Sequence, residues 1–169
     1  MKKFASCSLR LLGIFTGLML CFAGVSATHA GEVPHYKRIV SLGPDVTEIA
    51  MALGRADQII AVDRSSRYPE QATTKPDVGY RRALSAENIL ALAPDLILAA
   101  EDIGPPEALD VLKASGVPLI FVPEGNSDVG ISRKIEVIAA TLDRKDAGET
   151  LARSVMEDFR KAAELGASV

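Results

Sequence analysis

The sequence has 169 residues, with 19 basic and 22 acidic side chains and a net charge of −3. A mildly acidic chain is a poor candidate for nucleic-acid binding, so we expect no nucleic-acid partner. Its two cysteines, Cys7 and Cys21, both precede residue 30, so we expect no disulfide and no thiolate metal site in the domain that follows.

Residues 1–30 have the composition of a secretory signal peptide. A basic start is followed by an apolar run over residues 11–25 and then by small residues, with cleavage expected after Ala30 or Ala27. The apolar run is shorter than the ~20 residues that span a bilayer as a helix, so we expect export to the periplasm and not anchoring. Removing this segment takes away three basic residues and leaves a net charge of −6. Residues 31–37 are then expected to form a flexible start.

Apolar runs rich in β-branched residues alternate with stretches of helical spacing through the rest of the chain. The runs predict four strands, at residues 38–43, 58–63, 95–100 and 117–122. The other stretches predict five helices, at residues 44–54, 85–93, 107–116, 127–143 and 146–165. The alternation predicts the α/β class, with a Rossmann-like, parallel four-stranded sheet flanked by helices.

Two of the predicted helices carry capping signals at their starts. Asp45 and Glu48 have the spacing of a capping box, and Ser85 and Asn88 have cap spacing in the second helix. We therefore expect side-chain caps at both helix starts.

Ligands of open parallel sheets bind beyond the carboxyl ends of the strands. The segments that begin at Gly43, Asp63, Ala100 and Pro123 should therefore share one edge. The irregular stretch over residues 64–79 is longer than a typical connection of this kind, and Tyr80, which follows it, belongs to the same loop system. The sequence thus predicts a ligand site at this edge.

Motifs for catalysis and for phosphate binding are missing from the sequence. It has no G-x-G-x-x-G after a strand and no G-K-[ST]. The single histidine after residue 30, His35, cannot complete a Ser-His-Asp triad or supply a multi-histidine zinc site. We therefore expect no catalytic residue and no enzyme. Two charged pairs have simpler interpretations, Arg133-Lys134 as a solvated helix face and Glu101-Asp102 as an exposed loop.

The stretch "VGYRRALSAE", residues 78–87, places Tyr80 directly before Arg81 and Arg82. Nearby positive charge favours the phenolate form of a tyrosine, and a phenolate suits ferric iron, including the iron of heme. The arginines could bind carboxylates such as heme propionates. A half-buried tyrosine with surface arginines explains the same residues without any ligand, so the chemistry alone leaves both interpretations open.

Four stretches carry a resemblance to a known family: "RIVSLGPDVTEIAMALG", "IIAVDRSSRYPEQA", "VGYRRALSAENILALAPDLILAA" and "VPLIFVP". Over residues 38–164 the chain resembles the amino-terminal lobe of periplasmic substrate-binding proteins of ABC importers for heme. These proteins belong to a wider family that also carries siderophores and cobalamin. The resemblance implies that heme is the transported ligand.

The resemblance also implies roles for individual residues. Tyr80 would be the axial ligand of ferric heme, and Arg82 would approach the ligand or a propionate. Glu87, at the start of the following helix, would dock onto the inner-membrane permease. Arg81 takes no role from the family, and we expect it to be a solvated neighbour. An outer-membrane heme receptor upstream is a further implied partner.

Proteins of this family have two α/β lobes joined by a long helix. We expect residues 38–143 to form the first lobe, residues 144–169 to be the start of the joining helix, and the second lobe to be missing, as in a truncated chain. Three other functions stay open: a siderophore- or cobalamin-binding protein, a non-functional fragment, and a small α/β enzyme with Asp45 or Asp63 as acid or base.

Overall fold

A computed structural model describes residues 35–167, and the α/β class predicted for this part of the chain is confirmed. The signal peptide predicted over residues 1–30 lies outside the described residues. All four predicted strands form: β1 (Ile39–Leu42), β2 (Ile59–Val62), β3 (Leu96–Ala100) and β4 (Leu119–Val122). They make one parallel sheet in the order β2-β1-β3-β4.

The two central strands are completely buried, as parallel strands with helices on both faces must be. Ile39 of β1 stands opposite Ile59 of β2 and Leu96 of β3, and all three side chains are at most 1% exposed. The core therefore lies along β1 and β3, and it fixes where these two strands end.

Five α-helices flank the sheet: α1 (Pro44–Ala50), α2 (Ala86–Leu90), α3 (Pro106–Ala114), α4 (Asp128–Thr141) and α5 (Lys145–Ala167). A π-helical turn, Met51–Arg55, extends α1, and a short 3₁₀ helix, Glu70–Thr74, lies in the long irregular stretch. Among residues 35–167, none of the helices combines the length and the apolar character needed to cross a membrane.

One predicted cap is confirmed and the other is wrong. The backbone N–H of Asn88 donates to the Ser85 side chain at 3.2 Å, which caps α2. At α1 the N-cap is Gly43 and no side chain caps it. Asp45 binds Lys134 instead, 89 positions further along the chain, a partner that no local spacing rule could find.

The helix α2 ends three residues earlier than predicted. It ends at Leu90, and Ala93 adopts a positive φ of 47° immediately before Pro94. A residue before proline is kept out of the helical region by the proline ring. The guanidinium of Arg38, the residue before β1, donates to the carbonyls of Ala93 and Leu92 at 2.9 and 2.5 Å, so it satisfies two carbonyls of the turn after the helix.

The helices α4 and α5 pack closely because residue 148 is a glycine. A Cβ added to Gly148 would lie 2.4 Å from the Cβ of Ala139. Leu151, one turn further on, packs on the core, whereas Phe159 is exposed. The interpretation of residues 144–169 as the start of a connecting helix stays a prediction.

Candidate functional site

The strand order creates a crevice at the carboxyl edge of the sheet. The chain leaves β1 toward β2 on one side and later returns to β3 on the other, so the connections diverge between β1 and β3, where open α/β sheets bind ligands. A cavity of about 650 Å³ opens here, and its lining includes Pro44, Asp45, Arg81, Asp102, Glu124 and Lys134. The predicted meeting of the segments after β1, β3 and β4 is confirmed.

A second cavity, of about 840 Å³, lies between α4 and α5. No segment that directly follows a strand lines it, whereas the segments after β1, β3 and β4 all line the smaller cavity. The smaller cavity at the strand ends is therefore the candidate ligand site, in spite of its smaller volume.

Tyr80 lies in a tight loop that leaves its side chain accessible. Gly79 has a φ of 104°, a conformation that glycine adopts without strain, and its N–H donates to Asp77 Oδ1 at 2.6 Å. Asp77 also binds Arg64 at 2.9 Å, and this hydrogen bond, followed by that from Gly79, lowers the pKa of Asp77. Tyr80 is 44% exposed, and its hydroxyl has no hydrogen-bond partner among residues 35–167. The phenol is thus free to meet a ligand.

Both arginines after Tyr80 bind the carboxylate of Asp102. Arg81 Nη1 donates to one carboxylate oxygen, and Arg82 Nη2 donates to the other at 2.7 Å. The hydrogen bond to Asp102, the charge of Asp102 and then the charge of Tyr80 raise the pKa of Arg82. The shift shows that negative charge lies close to the Arg82 guanidinium. Because Arg82 is largely exposed, the stabilisation that this charge provides is small.

Two sequence predictions are wrong at this pair. Arg81 is not a solvated neighbour: its side chain is only 22% exposed, and it lines the cavity. Asp102 is not in a simply exposed loop, since its side chain is 29% exposed and is held by two guanidinium groups. The partners lie 20 and 21 positions apart, in the connection before α2 and in the loop after β3, and backbone hydrogen bonds of Gly104 with Arg81 and Leu84 join these two segments.

A buried lysine carries the second ion pair of the cavity. Lys134 was expected on a solvated helix face, but its side chain is 8% exposed, with Nζ 2.5 Å from Asp45 and 3.6 Å from Glu124. Burial acts to lower the pKa of Lys134, but the hydrogen bond and charge of Asp45, with those of Glu124, outweigh it and raise the pKa. The pair joins α1 to α4 across the cavity.

This ion pair predicts a stability change at alkaline pH. Because the folded-state pKa of Lys134 lies above its ordinary value of 10.5, the pair stabilises the fold fully below that pH. The contribution is lost as the pH rises through the folded-state pKa. We expect the melting temperature to fall less steeply as the pH rises above 10.5 in Lys134→Met than in the unaltered protein. The matched control is Lys145→Met, since Lys145 is exposed, and an equal pH dependence in both variants would contradict the assignment.

Asp63 follows β2 and serves the fold, not a reaction. It is 1% exposed, and its carboxylate accepts from the backbone N–H groups of Gly43 and Ser65, at 2.8 and 2.9 Å, and from the hydroxyls of Ser65 and Ser66. With each oxygen accepting two hydrogen bonds, the carboxylate is not available as the acid or base of the enzyme alternative.

The three residues predicted to bind heme or the permease are all accessible, but none of them lines the cavity. Tyr80 and Arg82 are the neighbours in sequence of Arg81, which does line it. Glu87 is exposed in the first turn of α2. In the described part of the chain no three His, Cys, Asp or Glu side chains are placed to hold a metal ion.

Residues 39–168 match a protein family described as periplasmic binding protein. A vitamin B12-binding protein of Vibrio parahaemolyticus is 35% identical over 123 residues, which cover 73% of this chain and 44% of the relative. The proteins found in this way are binding proteins and not enzymes, as the sequence predicted.

Solved structures of similar proteins include binders of both heme and vitamin B12. A periplasmic heme-binding protein from Roseiflexus is 40% identical with a TM-score of 0.76, and the match covers 79% of this chain and 51% of that one. A periplasmic vitamin B12-binding protein of Vibrio cholerae is 31% identical with a TM-score of 0.68, covering 79% and 52%. The chain thus spans about half the length of the relatives that it matches.

Proposed function

The chain belongs to the periplasmic binding protein family, and we propose that it captures heme in the periplasm and delivers it to an inner-membrane ABC permease. Heme is the transported ligand. Tyr80 is the axial ligand of the ferric iron, and Arg82 binds a propionate.

The accessible hydroxyl of Tyr80 is the observation that carries this proposal. It has no hydrogen-bond partner within residues 35–167, and Tyr80 directly precedes two arginines, of which Arg81 lines the cavity at the strand ends. A phenolate is a hard anionic donor that ferric heme accepts, and guanidinium groups bind carboxylates in paired hydrogen bonds. The similar heme-binding proteins give independent support.

Vitamin B12 is the second candidate ligand, because the curated relatives found by sequence are named vitamin B12-binding proteins. A siderophore is a third. Neither ligand offers the porphyrin iron for which an exposed tyrosine is suited.

Calorimetric titration with hemin and with cyanocobalamin separates the first two candidates. We expect saturable binding of hemin and no displacement of bound hemin by excess cyanocobalamin. Tight binding of cyanocobalamin with displacement of hemin would overturn the choice of heme.

Glu87 supplies the proposed contact with the permease. It is exposed in the first turn of α2, where the helix dipole tolerates a carboxylate, and no hydrogen bond or ion pair joins its side chain to another described residue. We expect Glu87→Lys to slow heme transfer to the reconstituted permease by about tenfold, because reversing one charge opposes a complementary surface.

The hemin affinity of Glu87→Lys should stay unchanged, since Glu87 does not line the cavity. The matched control is Glu107→Lys, which reverses an exposed carboxylate in the first turn of α3. If both variants transfer heme equally well, Glu87 is not part of the docking surface.

A further inference from the structure

Asp102 is the shared partner of the two arginines next to Tyr80. One of its carboxylate oxygens accepts from Arg81 and the other accepts from Arg82 at 2.7 Å. Neither guanidinium has another hydrogen bond or ion pair with a residue in the described range. A ligand carboxylate that approaches either arginine therefore meets a guanidinium whose positive charge is already partly neutralised by Asp102.

Asp102 also halves the positive charge beside Tyr80, since one carboxylate faces two guanidinium groups. The loop does not depend on this side chain alone. The N–H of Gly104 donates to the carbonyl of Arg81 at 2.9 Å, and the N–H of Leu84 donates to the carbonyl of Gly104 at 2.9 Å. A neutral residue at position 102 would thus change the charge of the loop while the backbone bonds still hold it.

The two arginines differ in how easily a ligand reaches them. The side chain of Arg82 is 59% exposed, and that of Arg81 is 22% exposed. Arg82 can turn toward an incoming carboxylate while Arg81 keeps its bond to Asp102. This exchange leaves no charge unpaired, because Asp102 retains one guanidinium and the ligand gains the other.

We propose that Asp102 is a positioning residue that partly neutralises the positive charge of the arginines beside Tyr80. When the ligand binds, Arg82 exchanges its hydrogen bond to Asp102 for one to a carboxylate of the ligand. The inference rests on the proposed function, in which that carboxylate is a heme propionate. Asp102 lowers the affinity of the loop for anions in general, so that only a ligand which also binds elsewhere, as at Tyr80, displaces it. Asp102 thereby contributes to selectivity without touching the iron.

The test uses Asp102→Asn with Glu101→Gln as its matched control. Glu101 is the neighbouring carboxylate, and its replacement removes the same charge without touching an arginine. We expect Asp102→Asn to bind hemin about tenfold more tightly, because a charge-assisted competitor is gone, and Glu101→Gln to bind it unchanged. Hemin dimethyl ester, which has no free carboxylate, should bind Asp102→Asn and the unaltered protein equally. A gain for both hemin and its ester would contradict the screening role.

A second variant covers the case in which Asp102→Asn fails to fold. Arg82→Gln changes an exposed side chain and leaves the pair of Arg81 with Asp102 in place. It should weaken hemin binding by about tenfold and leave binding of the dimethyl ester unchanged. Equal loss for the two porphyrins would show that Arg82 does not receive a carboxylate.

Glutarate, a dicarboxylate without iron, separates this inference from the proposed function. Its binding is followed through the guanidinium N–H signals in NMR spectra, and Asp102→Asn should bind it about tenfold more tightly than Glu101→Gln does. Equal affinities would overturn the role of Asp102. If glutarate behaves as expected but hemin binds to none of the proteins, the proposed function fails and the screening role stands.

Discussion

Tyr80→Phe is expected to weaken hemin binding by about 100-fold or more and to abolish the absorption bands of a ferric tyrosinate. Loss of residues that merely support a metal ligand costs about 10- to 100-fold in affinity, so loss of the ligand itself should cost at least the upper figure. The substitution removes only the hydroxyl, which has no partner among residues 35–167, so the fold should be unaffected. Titration followed by visible spectroscopy measures both effects.

Tyr68→Phe is the matched control for this experiment. Tyr68 lies in the same long loop system and is also exposed, but it has no arginine directly after it. Its replacement should leave the spectrum and the hemin affinity unchanged. If Tyr68→Phe loses the bands and Tyr80→Phe keeps them, the other tyrosine is the ligand, and if both keep them, the iron is held by neither.

Asp63→Ala should lower the free energy of unfolding by about 3 kcal/mol or more. The carboxylate accepts four hydrogen bonds from three residues, and its removal leaves these buried and half-buried donors without their acceptor. Such a loss is a large share of the roughly 5–15 kcal/mol that stabilises a typical domain, and corresponds to about 10 °C in melting temperature. Thermal and denaturant unfolding measure it.

The same substitution should also perturb the candidate site, since Asp63 fixes the turn from β1 into α1. It accepts from Gly43, whose φ of 127° and close approach to Ala100 leave little room for adjustment. Asp57→Ala is the control, since Asp57 is exposed and forms no hydrogen bond or ion pair with the described residues. A stability of Asp63→Ala equal to that of Asp57→Ala would contradict the structural role.

The sheet and its carboxyl edge were predictable from the sequence because they rest on local pattern. Short apolar runs between helical stretches give parallel strands, and parallel strands place the segments after Leu42, Ala100 and Val122 at one edge. The position of Tyr80 beside that edge followed from the same rule. The strand bounds agree with the predictions to within two residues.

The ion pairs of the site were not predictable, because each joins segments that meet only in the folded chain. Asp102 and Arg82 are 20 positions apart, and Asp45 and Lys134 are 89 apart. Lys134 resembles any solvated helix lysine in the sequence, and Asp45 resembles a helix cap. Only the packing of α4 against α1 brings the two together, with Lys134 buried and Asp45 partly exposed.

A crystal structure of the protein with hemin tests the central claim most directly. The account predicts that the hydroxyl oxygen of Tyr80 is bonded to the iron and that a propionate contacts Arg82. Hemin bound elsewhere, or iron bound to another group while Tyr80 points away from it, would contradict the account.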